Sequence, residues 1–188
     1  MRVFTAIQLH PEISLAVEKG FQSYKPFESA IRWVNFKTIH STLHFFSNLT
    51  DSQIKDLIKV SEAVIAKSNS FPITLNEPGF FPDPKHPRVF WWGIEVCDSL
   101  EKLHQELSAA YQKLKLPLED RAYKAHFTLG RFKNQEPVLD EVIQKLKGTW
   151  KLSGKQMNAT SIKLFKSPAL SEGYPVLHEF FFKKGMPG

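Results

Sequence analysis

Apolar positions along this chain recur with a period of two in some stretches and of three to four in others, and the changes between the two rhythms mark out its elements. Residues 3–9 are a short apolar-rich run and predict a strand. Pro11 suits the first turn of a helix running to about Ser23, with Ile13, Ala16, Val17 and Phe21 on one face. Residues 31–36 and 39–47 predict two strands. Thr50-Asp51 then starts a helix in which Ile54, Leu57, Ile58, Ser61, Val64 and Ile65 recur at helical spacing to about Lys67. Residues 71–75 predict a strand, and 77–87, rich in Pro and Gly, a loop. Residues 88–96 return to strand. Asp98 or Ser99 caps a helix that carries Leu100, Leu103, Leu107, Ala110 and Leu114 on one face. Residues 125–132 predict a strand and 137–146 a helix. Strands across 151–165 and 174–182 close the chain.

Strands and helices alternate without a long parallel βαβ series, so the predicted class is α+β. Two segments repeat, His40-Ser41-Thr42-Leu43 and His126-Phe127-Thr128-Leu129, nearly half the chain apart. Each lies in a predicted strand that leads into a helix. The repeat predicts an internal duplication: two antiparallel sheets with flanking helices, related by a pseudo-twofold axis, with a cleft between the lobes. No linker separates the halves, so residues 1–188 are read as one domain of two interleaved lobes.

Composition narrows the setting. Hydrophobic residues make up 42% of the chain and sixteen are Phe, enough to fill an ordered core rather than leave a disordered chain. A net charge of +6, with no run of like charge to carry it, favours anionic partners such as nucleic acid. The lone Cys97 allows neither an internal disulfide nor a Cys-x-x-Cys metal site and fits a reducing compartment. The N-terminus lacks the apolar core of a secretory signal, and no stretch nears the ~20 apolar residues of a membrane span. A cytoplasmic monomer with no membrane partner is the expectation.

The repeat carries chemistry. Side chains alternate along a strand, so His40 and Thr42 share a face, as do His126 and Thr128. Brought together, the two strands would present two imidazoles and two hydroxyls to one small volume. One imidazole can accept a proton while the other gives one, and hydroxyl donors can hold non-bridging phosphate oxygens. That set suits displacement at a phosphodiester. No His, Cys or carboxylate cluster has metal-ligand spacing, so neither metal nor cofactor is called for.

These segments resemble those of the two-histidine phosphoesterases, within them the RNA 2′,3′-cyclic phosphodiesterase branch, historically called 2′-5′ RNA ligases. Arg2-Val3-Phe4-Thr5-Ala6-Ile7, Arg32-Trp33-Val34, Pro87-Arg88-Val89-Phe90-Trp91-Trp92-Gly93 and His126-Phe127-Thr128-Leu129-Gly130-Arg131 are each similar to the family's corresponding segments, in the same order. The resemblance implies hydrolysis of 2′,3′-cyclic phosphate ends of RNA or nucleotides to 2′-phosphomonoesters, without metal or other cofactor. It implies His40 as proton donor, His126 as proton acceptor, and Thr42, Thr128 and Arg131 on the phosphate. Ligation of 2′-5′ ends, the same chemistry reversed, stays open, as does a non-catalytic nucleotide- or RNA-binding module.

Neighbouring positions add candidates. Strict alternation turns Arg131 away from His126, although a bulge would bring it back. By the same count, Phe46 and Phe132 share the histidine face and could stack on a nucleobase. His44 also falls on that face, as a candidate lining of the cleft. Lys37 and Lys124 could attract phosphate, and Arg88 is a weaker candidate for the same role. His10, His86, His104 and His178 lack a Thr two residues on and are read as structural or surface.

Overall fold

The computed structural model describes residues 1–22, 30–119, 122–133, 140–149, 152–167 and 173–183. In chain order its elements are β1 (Arg2–Gln8), α1 (Pro11–Gln22), β2 (Ile31–Trp33), a 3₁₀ turn (Phe36–Thr38), β3 (His40–Phe46), α2 (Asp51–Ile65), β4 (Phe71–Phe81), β5 (Val89–Ile94), α3 (Asp98–Lys113), β6 (His126–Phe132), α4 (Asp140–Thr149), β7 (Gln156–Ala159), β8 (Ser161–Ser167) and β9 (Val176–Phe181).

Two sheets form, one in the order β3-β1-β8-β9 and the other β2-β6-β5-β4-β7, with antiparallel pairing throughout. The fold is α+β, as the periodicities predict. In each sheet a histidine strand pairs with the strand one helix earlier in the chain: β1-α1-β3 in the first, β5-α3-β6 in the second. The order β3-β1-β8-β9 thus repeats as β6-β5-β4-β7. β2 is left over, a short strand on the open side of β6 with no counterpart in the first sheet.

Apolar spacing fixes how the helices sit. Thr50 caps α2 through a reciprocal box with Gln53, and Ile54, Leu57, Ser61 and Ile65 form its buried stripe. α3 buries Leu100, Leu103, Leu107 and Tyr111, at the same spacing. These stripes join the inner faces of both sheets in one continuous core, from Val3 and Ile7 on β1 to Phe90 and Trp92 on β5.

Four boundaries differ from the sequence reading. β4 does not stop at Leu75 but runs through Pro78 and Gly79 to Phe81. The turn residues are absorbed because Pro78 falls where the β4–β5 register shifts, so its missing N–H costs no ladder bond. Gly79 is demanded there, because a Cβ would lie 2.3 Å from the Trp91 ring. The N-cap of α3 is Cys97, with no side-chain capping bond, rather than Asp98 or Ser99. The predicted strand across 151–165 is two strands, β7 and β8, one in each sheet. Residues 34–36 leave the predicted strand after Trp33, and a 3₁₀ turn capped by Asn35 delivers the chain to His40. The ends predicted at Ser23 and Pro137 lie outside the described residues.

Candidate active site

Each histidine heads its strand, and each is held in the same way. His40 Nδ1 lies 2.7 Å from the Thr38 carbonyl, and His126 Nδ1 lies 2.6 Å from the Lys124 carbonyl, two residues back in both cases. A carbonyl only accepts, so Nδ1 carries the hydrogen and Nε2 is left for chemistry. The rings are further fixed by aromatic neighbours. His40 stacks on Phe4, with centroids 4.8 Å apart, and meets the edge of Tyr174. His126 meets Phe81 edge-on at 5.0 Å and leans on Trp91.

The register explains which side chains accompany them. Gln8 pairs with His40 and Ala6 with Thr42, while Thr5 pairs with His44, leaving Leu43 as an extra residue. On the other sheet Gly93 pairs with His126 and Trp91 with Thr128, while Phe90 pairs with Gly130, leaving Leu129 extra. Both motifs therefore end in a β-bulge at the leucine. A bulge adds one residue and reverses the alternation beyond it.

That reversal decides the remaining candidates. Arg131 pairs with Val89, which shares a face with Trp91, so it stands on the face of His126 and Thr128. Phe46 goes the other way. It is fully buried in the core, edge-on to Tyr111, and offers no surface to a base. Phe132 is likewise turned to the core side, against Phe80. His44 does not line the cleft. It is buried behind β3, its Nε2 is 2.8 Å from Ser108 Oγ, and it stacks on His104. Burial and the neighbouring His104 push its pKa down to about 3. His104 stacks in turn on Tyr123 and bonds the carbonyl of the bulge residue Leu43. Strict alternation could not reveal this, because the bulges arise from pairing with β1 and β5.

The cleft-side aromatics are others. Phe4, Ala6 and Phe165 form a small apolar cluster of their own, with Phe45 and Tyr174 packed against it. Phe45 stands where Arg131 stands in the other lobe, and Arg2 lies over its ring. Lys124 reaches over Trp91, 4.5 Å from the ring centroid, and over Phe81. Lys37 is exposed on the 3₁₀ turn, and its carbonyl accepts from Gln8. The Arg88 carbonyl accepts from the Phe132 N–H, so Arg88 pins the strand by its backbone.

β3 and β6 lie against each other, and the charges of the site are felt across the gap. Burial lowers the pKa of His40 first; His126 and Arg131 lower it further, against the bond to Thr38. Burial also leads at His126, with Lys124 and Arg131 adding to it. The two imidazoles and Arg131 thus form one electrostatic unit, in which two protons repel and an anion is welcome. Among the described residues no group of three or more His, Cys, Asp or Glu is placed to hold a metal ion. A hollow of about 690 Å³ between α2 and α3 contains none of these groups.

A family model described as the 2′-5′ RNA ligase superfamily matches residues 11–166. The chain belongs to this superfamily. An RNA 2′,3′-cyclic phosphodiesterase of Aquifex aeolicus is 30% identical over 155 residues, covering 80% of this chain and 81% of that protein. One of Thermotoga maritima is 25% identical over 188 residues, covering 99% and 98%. The crystal structure of a Thermus thermophilus protein, TT0787, matches with a TM-score of 0.80 at 24% identity, covering 99% of this chain and all of that one. The last comparison shows a shared fold. In this 2′-5′ RNA ligase superfamily member, the two sheets meet along the histidine strands.

Proposed function

We propose that this protein hydrolyses 2′,3′-cyclic phosphate ends of RNA or nucleotides to 2′-phosphomonoesters. The observation that carries the reading is the matched pair of histidines, each held through Nδ1 by a carbonyl two residues back and each coupled to the same arginine. In the reaction, neutral His126 takes a proton from water through Nε2 as the water oxygen attacks phosphorus. The bond from phosphorus to the 3′ oxygen breaks, and protonated His40 gives its Nε2 proton to that oxygen. Thr42, Thr128 and Arg131 hold the non-bridging oxygens as charge builds there. Two fixed cations, Lys124 and Arg131, act against protonation of His126, whereas one, Arg131, acts against His40; this supports the assignment of base and acid. The enclosure of His40 against Phe4 works in the opposite sense in the free protein, and a bound phosphate anion favours the charged form of both rings. Acid, base and oxyanion donors are all side chains, so the step is complete without a metal. The names of the Aquifex and Thermotoga relatives support the same substrate.

The superfamily description also keeps joining in view, in which a ribose 5′-hydroxyl replaces water as the attacking group, the bond from phosphorus to the 3′ oxygen breaks, and a 2′-5′ linkage is left. The test uses an oligoribonucleotide ending in a 2′,3′-cyclic phosphate, with chelator present. A 2′-phosphate product, lost in both His40→Ala and His126→Ala, is the expected result. A 3′-phosphate product, activity surviving in either variant, or loss with chelator alone would overturn the reading. Adding a 5′-hydroxyl acceptor strand to the same reaction measures joining against hydrolysis.

A further inference from the structure

The repeat accounts for one phosphate gripped from two sides, but it says nothing about where the rest of a nucleic acid would lie. The element that breaks the symmetry is β2, which joins the second sheet beside β6. Arg32 on β2 pairs directly with Arg131 on β6. Directly paired residues share a face, so Arg32 stands on the face of His126 and Thr128, one strand further out. Both arginines are exposed.

Like charges placed directly opposite each other on neighbouring strands destabilise a sheet. Here the fold enforces the pairing. Ile31 and Trp33, on either side of Arg32, pack on Gly130, where a Cβ would lie 2.7 Å from Ile31 Cγ2 and 3.0 Å from the Trp33 ring. Gly130 therefore lets β2 close tightly on β6. Backbone bonds from Val34 N–H to the Leu129 carbonyl and from Lys133 N–H to the Ala30 carbonyl fasten both ends of the short strand. No carboxylate among the described residues forms an ion pair with either arginine. Two planar guanidinium groups carried on adjacent strands, whose backbones run roughly 4.8 Å apart, can take successive anionic groups and relieve their own repulsion by binding them.

We propose that Arg32 forms a second anion subsite, which holds the phosphodiester next to the reacting one and so selects polynucleotide ends over cyclic mononucleotides. The proposal rests on the phosphodiesterase reading for its substrate. Arg131, which acts on both histidines, serves the reacting phosphate, and Arg32 serves its neighbour.

The test compares the wild type, Arg32→Ala, Arg32→Lys and Arg88→Ala on a cyclic mononucleotide and on a trinucleotide ending in a 2′,3′-cyclic phosphate. Arg88 is the charge control: it is exposed, it lies in the bend just before β5, and it holds the strand by its backbone. Arg32→Ala should lower kcat/KM on the trinucleotide roughly tenfold more than on the mononucleotide, through KM, with a shallower salt dependence. Arg32→Lys should restore part of the loss, and Arg88→Ala should not discriminate between the substrates. The same proteins are titrated with a trinucleotide and a mononucleotide, each carrying a 2′-phosphate, which reads the subsite without turnover. If turnover fails but Arg32→Ala still weakens trinucleotide binding selectively, the subsite stands and the catalytic reading falls. Equal loss on both lengths, or no loss in the titration, overturns the subsite.

Discussion

The two lobes hold their histidines alike and surround them differently. Around His40 the cleft face is mainly aromatic, with Phe4 beneath the ring, Tyr174 at its edge and Phe165 and Phe45 beside them; its cations stand further out, Arg2 over Phe45 and Lys163 against Gln8 and Glu179. Around His126 the face is cationic, with Lys124 over Trp91 and Arg131 at the place where the first lobe has Phe45. Behind the strands the contrast continues. β3 is backed by the stack of His44, His104 and Tyr123, with Ser108 bonded to His44, whereas the inner face of β6 buries Phe127 and Leu129, and Ile31 and Trp33 of the neighbouring β2 close over Gly130. The shared part is the histidine held through Nδ1 and the bulge at the leucine that follows. The part that differs is the surroundings, aromatic stacking at His40 and Lys124 with Arg131 at His126.

Removing either ring should have the largest effect. His40→Ala and His126→Ala should each lower kcat/KM on a cyclic phosphate roughly 10²–10⁴-fold, and the double variant should lose little more than either alone. A variant that keeps near-normal activity would show that the lobes do not share one phosphate. Next come the hydroxyls. Thr42→Val and Thr128→Val should each cost on the order of 10²–10³-fold in kcat, with similar losses on the two sides. Unequal losses would show that one lobe carries the oxyanion alone.

Copying the first lobe onto the second sharpens the contrast. Arg131→Phe should lower kcat/KM about 10–100-fold. Arg131 depresses the pKa of both histidines, so its removal should move the pH profile upward. In the wild type both imidazoles lie below their ordinary 6.5, so the optimum of kcat/KM should fall on the acid side of that value. The optimum of kcat should sit higher, because bound phosphate stabilises the charged ring.

The smallest effect concerns the backing of β3. His44 is neutral when folded, with a pKa of about 3 against 6.5 when unfolded. The unfolded chain therefore binds the extra proton first, and stability falls as pH drops through 6.5 toward 3. Between pH 7 and pH 5 this amounts to about 2 kcal/mol. His44→Phe should flatten that loss in urea unfolding at the two pH values. An unchanged slope would remove His44 as its source.

The elements with strong local periodicity were readable in advance. The stripes of α2 and α3, the histidine strands and the α+β class follow from spacing alone, because a helix or a half-buried strand repeats its apolar face at a fixed interval. The repeated His-x-Thr-Leu could be read as chemistry because residue type and a two-residue offset suffice to put an imidazole and a hydroxyl on one face. Alternation failed beyond the leucines. Counting by twos placed Phe46, Phe132 and His44 in the cleft and Arg131 outside it, and the bulges at Leu43 and Leu129 reversed all four. Pro78 and Gly79 read as a loop by local preference, yet pairing with β5 and contact with Trp91 hold them in a strand.

By itself, then, the sequence determined the class of fold and singled out the repeated histidines and threonines as candidates, since each depends on residues a few positions apart. Only the folded chain decided which side chains join them. A bulge exists because a second strand pairs out of step, and β2 sits beside β6 because distant Ile31 and Trp33 find room over a glycine. Such contacts are set by partners far away in the chain, and their effect, one residue of offset, turns every later side chain to the opposite face.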